Sequence, residues 1–95
     1  MHQEEASKLF KALGDESRVK IVKILYHNDE ICACKFLNIV PCKQATLSHH
    51  LKVLFESGLL TRRNEGTKIL YSCNKTLVDE LMLFIKTKCD CVGGK

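Results

Sequence analysis

Six of the 95 residues are cysteine, and four of them fall in two Cys-x-Cys pairs, Cys32/Cys34 and Cys89/Cys91, while Cys42 and Cys73 stand alone. Thiolates are soft donors, so a close pair can chelate a soft metal or metalloid ion, or can join as a disulfide or polysulfide bridge. A disulfide framework is not expected. The N-terminus, MHQEEASK, has no apolar stretch after a basic start and so does not read as a secretory signal. The expected compartment is the cytoplasm, where thiols stay reduced. The pair spacing also differs from the Cys-x-x-Cys of thiol oxidoreductases, and no Cys/His/acid set has a catalytic context, so no enzyme is expected. Cys42, beside Pro41, and Cys73, at the end of a strand-like run, read as small packed hydrophobes.

A second chemistry lies in the charge. Residues 41–75 hold Lys43, Lys52, Arg62, Arg63, Lys68 and Lys75 against Glu56 and Glu65, an excess equal to the whole net charge of +4. Elsewhere nine basic and nine acidic side chains cancel. A field concentrated in this way favours a polyanion such as nucleic acid, although charge alone is equally compatible with a solvated basic surface.

These groups need elements to hold them. With 45% hydrophobic and 27% charged residues the composition is that of an ordinary globular chain, and the length allows one domain. No apolar run approaches the roughly 20 residues of a membrane helix. Ala6, Leu9, Phe10 and Leu13 recur at helical spacing before Gly14; Asp15 can cap a second helix with Ile21, Val22 and Leu25 as its stripe. Asn28-Asp29 breaks that helix, and a shorter helix is expected from Glu30 to Leu37, ahead of a turn at Pro41. From Lys43 to Ser57, Leu47, Leu51, Leu54 and Phe55 share one side of a helix, with Ala45, Thr46, His49, Lys52 and Val53 opposite, and Gly58 ends it. Strand-like runs Leu59–Arg63 and Lys68–Cys73 flank a glycine-containing turn. A last helix, about Thr76 to Lys88, carries more apolar surface than one core-facing stripe needs, which points to a second copy as partner. The order predicts a mainly α chain with a small β-hairpin: a homodimeric winged helix-turn-helix. On a regular helix, residues two apart diverge by about 200°. Cys32 and Cys34 are thus expected to hold one ion only if their helix unwinds, which would link ligand to the DNA-facing helix packed beside it.

The run Ile31-Cys32-Ala33-Cys34-Lys35, followed by Gln44-Ala45-Thr46-Leu47-Ser48-His49-His50-Leu51-Lys52 and Glu56-Ser57-Gly58-Leu59-Leu60, closely resembles the ArsR/SmtB family. Leu13-Gly14-Asp15-Glu16-Ser17-Arg18 and Glu65-Gly66-Thr67-Lys68-Ile69-Leu70-Tyr71 extend the resemblance over nearly the whole chain. It implies a dimeric winged-helix repressor of double-stranded operator DNA, released when a toxic metal or metalloid binds, with no membrane and no organic cofactor involved.

Residue by residue, the resemblance implies that Gln44, Ala45, Ser48 and His49 face the major groove, with Lys43, Thr46 and Lys52 beside them. Gln44 could read an adenine edge and Ser48 a phosphate. Arg62, Arg63 and Lys68 on the wing would neutralise phosphates. His50 reads as a satisfied core histidine. Lys43 departs from the serine usual at that position, and a lysine cannot cap a helix start. The dimer contacts implied are Leu9, Leu77, Leu81, Phe84 and Ile85. The organisation expected is one winged-helix domain over 1–95. Within it, 1–14 and 76–88 form dimerisation helices, 30–57 the metalloid helix and helix-turn-helix, 59–73 the wing, and 89–95 a cysteine-containing tail.

In the family, Cys-x-Cys at the position of Cys32 and Cys34 is associated with arsenite and antimonite in some members and with cadmium and lead in others. A third cysteine found in some arsenic-sensing relatives is here Leu37. The N-terminal thiols of cadmium-binding relatives are absent from the start His2-Gln3, which favours trivalent arsenic or antimony as inducer over cadmium or lead. The family's zinc site on the last helix finds Asp79 but no histidine. Cys89 and Cys91 could supply a third thiolate, bind a second ion, or form a tail without function. A thiol redox or sulfide sensor, and a structural zinc module of Cys32, Cys34, Cys89 and Cys91, remain as other readings.

Overall fold

Asp15 separates the first two helices by starting the second: its side chain accepts hydrogen bonds from the amides of Ser17 (2.8 Å) and Arg18 (3.4 Å). Burial works against the charge, but the two amides and the charge on Arg18 outweigh it and hold the Asp15 carboxyl below its ordinary range. The structure, a computed structural model, describes residues 1–88. It runs α1 (Gln3–Ala12), α2 (Glu16–Tyr26), β1 (Ile31–Cys32), a 3-10 helix (Ala33–Asn38), α3 (Gln44–Ser57), β2 (Leu60–Glu65), β3 (Lys68–Cys73) and α4 (Lys75–Lys86). Helices dominate, with one small antiparallel sheet, as the hydrophobic spacing predicts.

One element differs from expectation. The α-helix predicted over Glu30–Leu37 is instead a two-residue strand followed by the 3-10 helix. Ile31 pairs with Tyr71 and Cys32 with Leu70, so β1 becomes the third strand of a sheet in the order β1-β3-β2. This contact spans nearly forty residues of sequence, and local periodicity carries no sign of it. The wing hairpin itself closes through Gly66-Thr67, with Gly66 at φ 63° and Glu65 opposite Lys68.

The core gathers the predicted stripes. Ile21 and Leu25 of α2, Phe36 of the 3-10 helix, Leu54 of α3 and Leu81 of α4 are all fully buried, and Leu59 and Leu60 seal the start of the wing. His50 is buried with them and satisfied: Arg18 Nε donates to its Nδ1 at 3.0 Å, and Asp15 Oδ1 lies 3.7 Å from its Nε2. That contact ties α2 to α3. At the far end of α3, Asn74 Nδ2 donates to the Gly58 carbonyl (3.2 Å), while Asn74 Oδ1 accepts from the Leu77 amide and so starts α4. Among the described residues no helix is long and apolar enough to cross a membrane.

Gly58 ends α3 at φ 91°, a conformation that costs an L side chain about 1–2 kcal/mol. A Cβ there would meet Leu77 Cδ2 at an ordinary 3.4 Å, so strain in the backbone, not a clash, sets the penalty. Gly58→Ala is expected to lower the free energy of unfolding by about that amount, read as a lower urea midpoint with an unchanged m-value. An unchanged midpoint would show that the cap is not needed.

Candidate functional site

The strand-then-turn backbone decides the geometry of the first cysteine pair. Cys32 closes β1 with φ −65° and ψ 137° and serves as N-cap of the 3-10 helix, in which Cys34 is the second residue. The sulfurs consequently converge to 2.8 Å and do not diverge as they would on an α-helix. The expectation that the helix must unwind before both can reach one ion is therefore corrected: the backbone already presents them together.

Cys32 is buried and Cys34 exposed. Cys32 Sγ shares a hydrogen bond with the Cys34 thiol, and the Cys34 amide adds a second; with Lys68 and Lys35 nearby these hold Cys32 below the ordinary thiol range against the cost of its burial. The same thiol–thiol contact pushes Cys34 up, and burial adds to the effect. The two sulfurs are thus unequal, with Cys32 the more readily ionised of the pair. Two thiolates bound tetrahedrally at about 2.3 Å from a metal lie about 3.8 Å apart. Chelation of that kind spreads this pair by about 1 Å, with Cys34, on the exposed turn, the freer of the two to move.

The cysteines form one wall of a cleft of about 290 Å³. Leu37 continues that wall; Gln44, Leu47, Ser48 and Leu51 of α3 form another; Thr67, Lys68 and Ile69 of the wing form the third. Three side chains expected to meet DNA, Gln44, Ser48 and Lys68, therefore share a cleft with the thiols. The backbone of Cys32 is paired to the wing through Leu70. Beside it, Arg63 Nε and Nη2 grip Glu30 at 2.7 and 2.8 Å, and Nη2 also reaches Glu65 at 3.1 Å. Arg63 holds the Glu30 carboxyl below its usual range despite partial burial.

The other expected site residues fall as follows. Lys43 is exposed at the N-cap of α3 and makes no side-chain cap hydrogen bond. Gln44, Ala45, Thr46, Ser48, His49 and Lys52 are all exposed along α3. Arg62 lies 4.1 Å over the Phe55 ring, and Arg62 and Lys68 form no ion pair among the described residues. Arg63 stands apart, since its charge is met within the protein by two carboxylates. Glu30 was not foreseen, because a lone acid 33 positions away carries no signal of its partner. Of the expected dimer contacts, Leu9 and Leu81 are buried inside the chain itself, and Leu77 and Phe84 are half-buried against the core. Ile85 is 62% exposed and is joined by Leu83 at 63% and Met82 at 43%.

Cys42 and Cys73 are half-buried against the core, and burial pushes the Cys73 thiol up. Asp79 accepts a hydrogen bond from the Tyr26 hydroxyl at 2.5 Å. Among the described residues no group of three or more His, Cys, Asp or Glu side chains could hold a metal ion; Cys89 and Cys91 lie outside them.

A family model described as the arsR family of bacterial regulatory proteins matches residues 15–62. The chain is 40% identical over 78 residues to a cadmium resistance transcriptional regulatory protein, a CadC homolog of Staphylococcus aureus. That match covers 82% of this chain and only 64% of the relative's length. It is 38% identical over 82 residues to an arsenical resistance operon repressor of Staphylococcus aureus, covering 86% of this chain and 78% of the relative. Among solved structures it is similar to reduced HlyU from Vibrio cholerae, with a TM-score of 0.74 and 29% identity over 90% of each chain.

The contrast between the two wing arginines is measurable. On duplex DNA, Arg62→Gln is expected to reduce the slope of log affinity against log salt by about one unit, the signature of one lost phosphate contact. Arg63→Gln is expected to leave the slope near that of the parent. Equal losses for both variants would show that Arg63 leaves its carboxylates for a phosphate.

Proposed function

The chain belongs to the arsR family of bacterial regulatory proteins, and from that premise we propose that it is a homodimeric repressor released from its operator when trivalent arsenic or antimony binds Cys32 and Cys34. The observation that carries this reading is the position of the thiols. They meet at 2.8 Å in the wall of a cleft whose other walls are α3 and the wing.

The donor set suits a soft ion: two sulfurs, with no carboxylate or imidazole among the described residues that line the cleft. Bound there, such an ion imposes its own sulfur–sulfur distance. The protein responds through its own parts. Spreading the pair displaces the 3-10 helix at Cys34 or the end of β1 at Cys32. Displacement of β1 pulls on β3, to which it is paired, and on Arg63 through Glu30. Displacement of Cys34 alters the wall facing Gln44 and Ser48. DNA is favoured by one arrangement of α3 and wing and the ligand by another, which makes their binding mutually opposed.

The basic side chains sort by role. Ala45, Thr46 and His49, with Gln44, are on the exposed face of α3 that would enter the major groove, where base edges carry a distinct donor and acceptor pattern. Lys43, Lys52, Arg62 and Lys68 would meet phosphates, and Ser48 could do either. For the dimer, Met82, Leu83 and Ile85 form an apolar strip on α4 that the described residues do not cover, and a twofold pair would place two α3 helices about 34 Å apart on one DNA face. Relatives named for arsenical and for cadmium resistance support a metal or metalloid inducer. The two-thiol cleft is the ground for placing arsenic and antimony before cadmium or lead.

Two measurements test this. The first is DNA release from a duplex selected by the protein from a random pool, titrated with arsenite, antimonite, cadmium, lead and zinc. Arsenite or antimonite is expected to act at the lowest concentration. Cys32→Ser should shift the arsenite half-point at least tenfold, and Cys89→Ser/Cys91→Ser by less. A Cys32→Ser protein that still responds would refute the assignment, and cadmium acting first would move the protein to the cadmium class. The second is sedimentation: Leu83→Glu/Ile85→Glu is expected to convert a dimer to a monomer, and a variant that stays dimeric would place the interface elsewhere.

A further inference from the structure

Trivalent arsenic carries three substituents, and the described site meets two of them with sulfur. What the third would meet can be read from the turn. Residues three apart on a 3-10 helix eclipse one another, so Leu37 stands one turn beyond Cys34 on the same side. Leu37 is 39% exposed and lines the cleft together with both cysteines. Beyond it the surface continues as hydrocarbon, through Leu47 and Leu51 of α3 and Ile69 of the wing, itself 39% exposed. A hydroxyl turned toward that side of the cleft, away from the polar side chains Gln44, Ser48, Thr67 and Lys68 that line the rest of it, would lose its hydrogen bonds to water without replacement. A carbon substituent would gain from burial there. The space suffices, since a cavity of about 150 Å³ lined by apolar side chains holds a benzene ring and this cleft measures about 290 Å³.

We propose that the preferred ligand of the Cys32–Cys34 cleft is a monosubstituted organic arsenical, R–As(OH)₂, whose hydrocarbon group R lies against Leu37 and Ile69. The proposal rests on the arsenic reading given above and narrows it to a chemical class. The step balances without an oxidant. Two As–O bonds break and two As–S bonds form, the two thiol protons leave with the two hydroxides as water, the As–C bond is untouched, and arsenic remains trivalent. A third thiolate is then unnecessary, so Cys89 and Cys91 become dispensable for this ligand.

The test uses the full chain on its selected duplex, with phenylarsine oxide and arsenite as probes. Any dithiol favours the organic compound to some degree, so the ratio of the two half-release concentrations is compared with the ratio of their affinities for free dithiothreitol. The expected ratio exceeds the dithiothreitol value at least tenfold in favour of phenylarsine oxide. It should fall at least fivefold in Leu37→Asn and in Ile69→Asn, both at exposed positions that tolerate a polar side chain. Cys89→Ser/Cys91→Ser should leave the phenylarsine oxide half-point within twofold of the parent. A ratio equal to that of dithiothreitol, or one unchanged in both asparagine variants, would overturn the organic-ligand proposal while leaving the arsenic reading intact. Release by neither compound would overturn that reading and this proposal with it.

Discussion

Ile31 and Cys32 lie antiparallel to the wing strand β3, opposite Tyr71 and Leu70, and the geometry of the thiol site follows from that pairing. It holds Cys32 in an extended conformation, so the chain turns sharply into the 3-10 helix and brings Cys34 back onto its neighbour. It also sets Glu30 beside the wing, where Arg63 closes on it with two hydrogen bonds. Had these residues formed an α-helix, the sulfurs would face apart and the wing would have no backbone tie to them. The strand is only two residues long, which makes it a weak element taken alone. A short edge strand is also one that a small displacement at its end can unseat, and this is what a switch between two states requires.

Charge and shape converge on the same place. The basic excess of residues 41–75 is distributed over α3 and the wing, but it is not uniformly available. Arg63 is met by Glu30 and Glu65, whereas Arg62, Lys68, Lys43 and Lys52 project outward. Lys68 has a further part: it lines the thiol cleft and its charge adds to the lowering of the Cys32 thiol. A phosphate drawn to Lys68 would compete for that charge. In the proposed function, anion and soft ligand would thus be opposed electrostatically as well as mechanically, on two sides of one lysine.

Much of the fold was legible in the sequence because it is encoded locally. Asp15 before α2, Gly58 after α3, the stripes of Leu47, Leu51 and Leu54, and the glycine turn of the wing each act within a few residues, and each is found where the spacing places it. The exposed positions Ala45, Thr46, His49 and Lys52 of α3 followed from the same periodicity. Two features were not legible. Residues 30–37 hold enough apolar side chains to read as helix, yet they pair with a strand nearly forty residues on, and that energy belongs to the sheet and not to the segment. The Glu30–Arg63 contact is hidden for the same reason. The dimer positions were half legible: the excess of apolar residues on α4 is real, but which of them the chain needs for its own core, as with Leu81, depends on where α1 packs.

The central claim is that the thiol pair acts on the wing through β1. Amide hydrogen exchange of the DNA-free protein, with and without a saturating trivalent arsenical, addresses it directly. Binding is expected to change protection at Ile31 and Cys32 and, across the pairing, at Ile69, Leu70 and Tyr71. A change confined to Ala33–Asn38, with β3 undisturbed, would contradict the account.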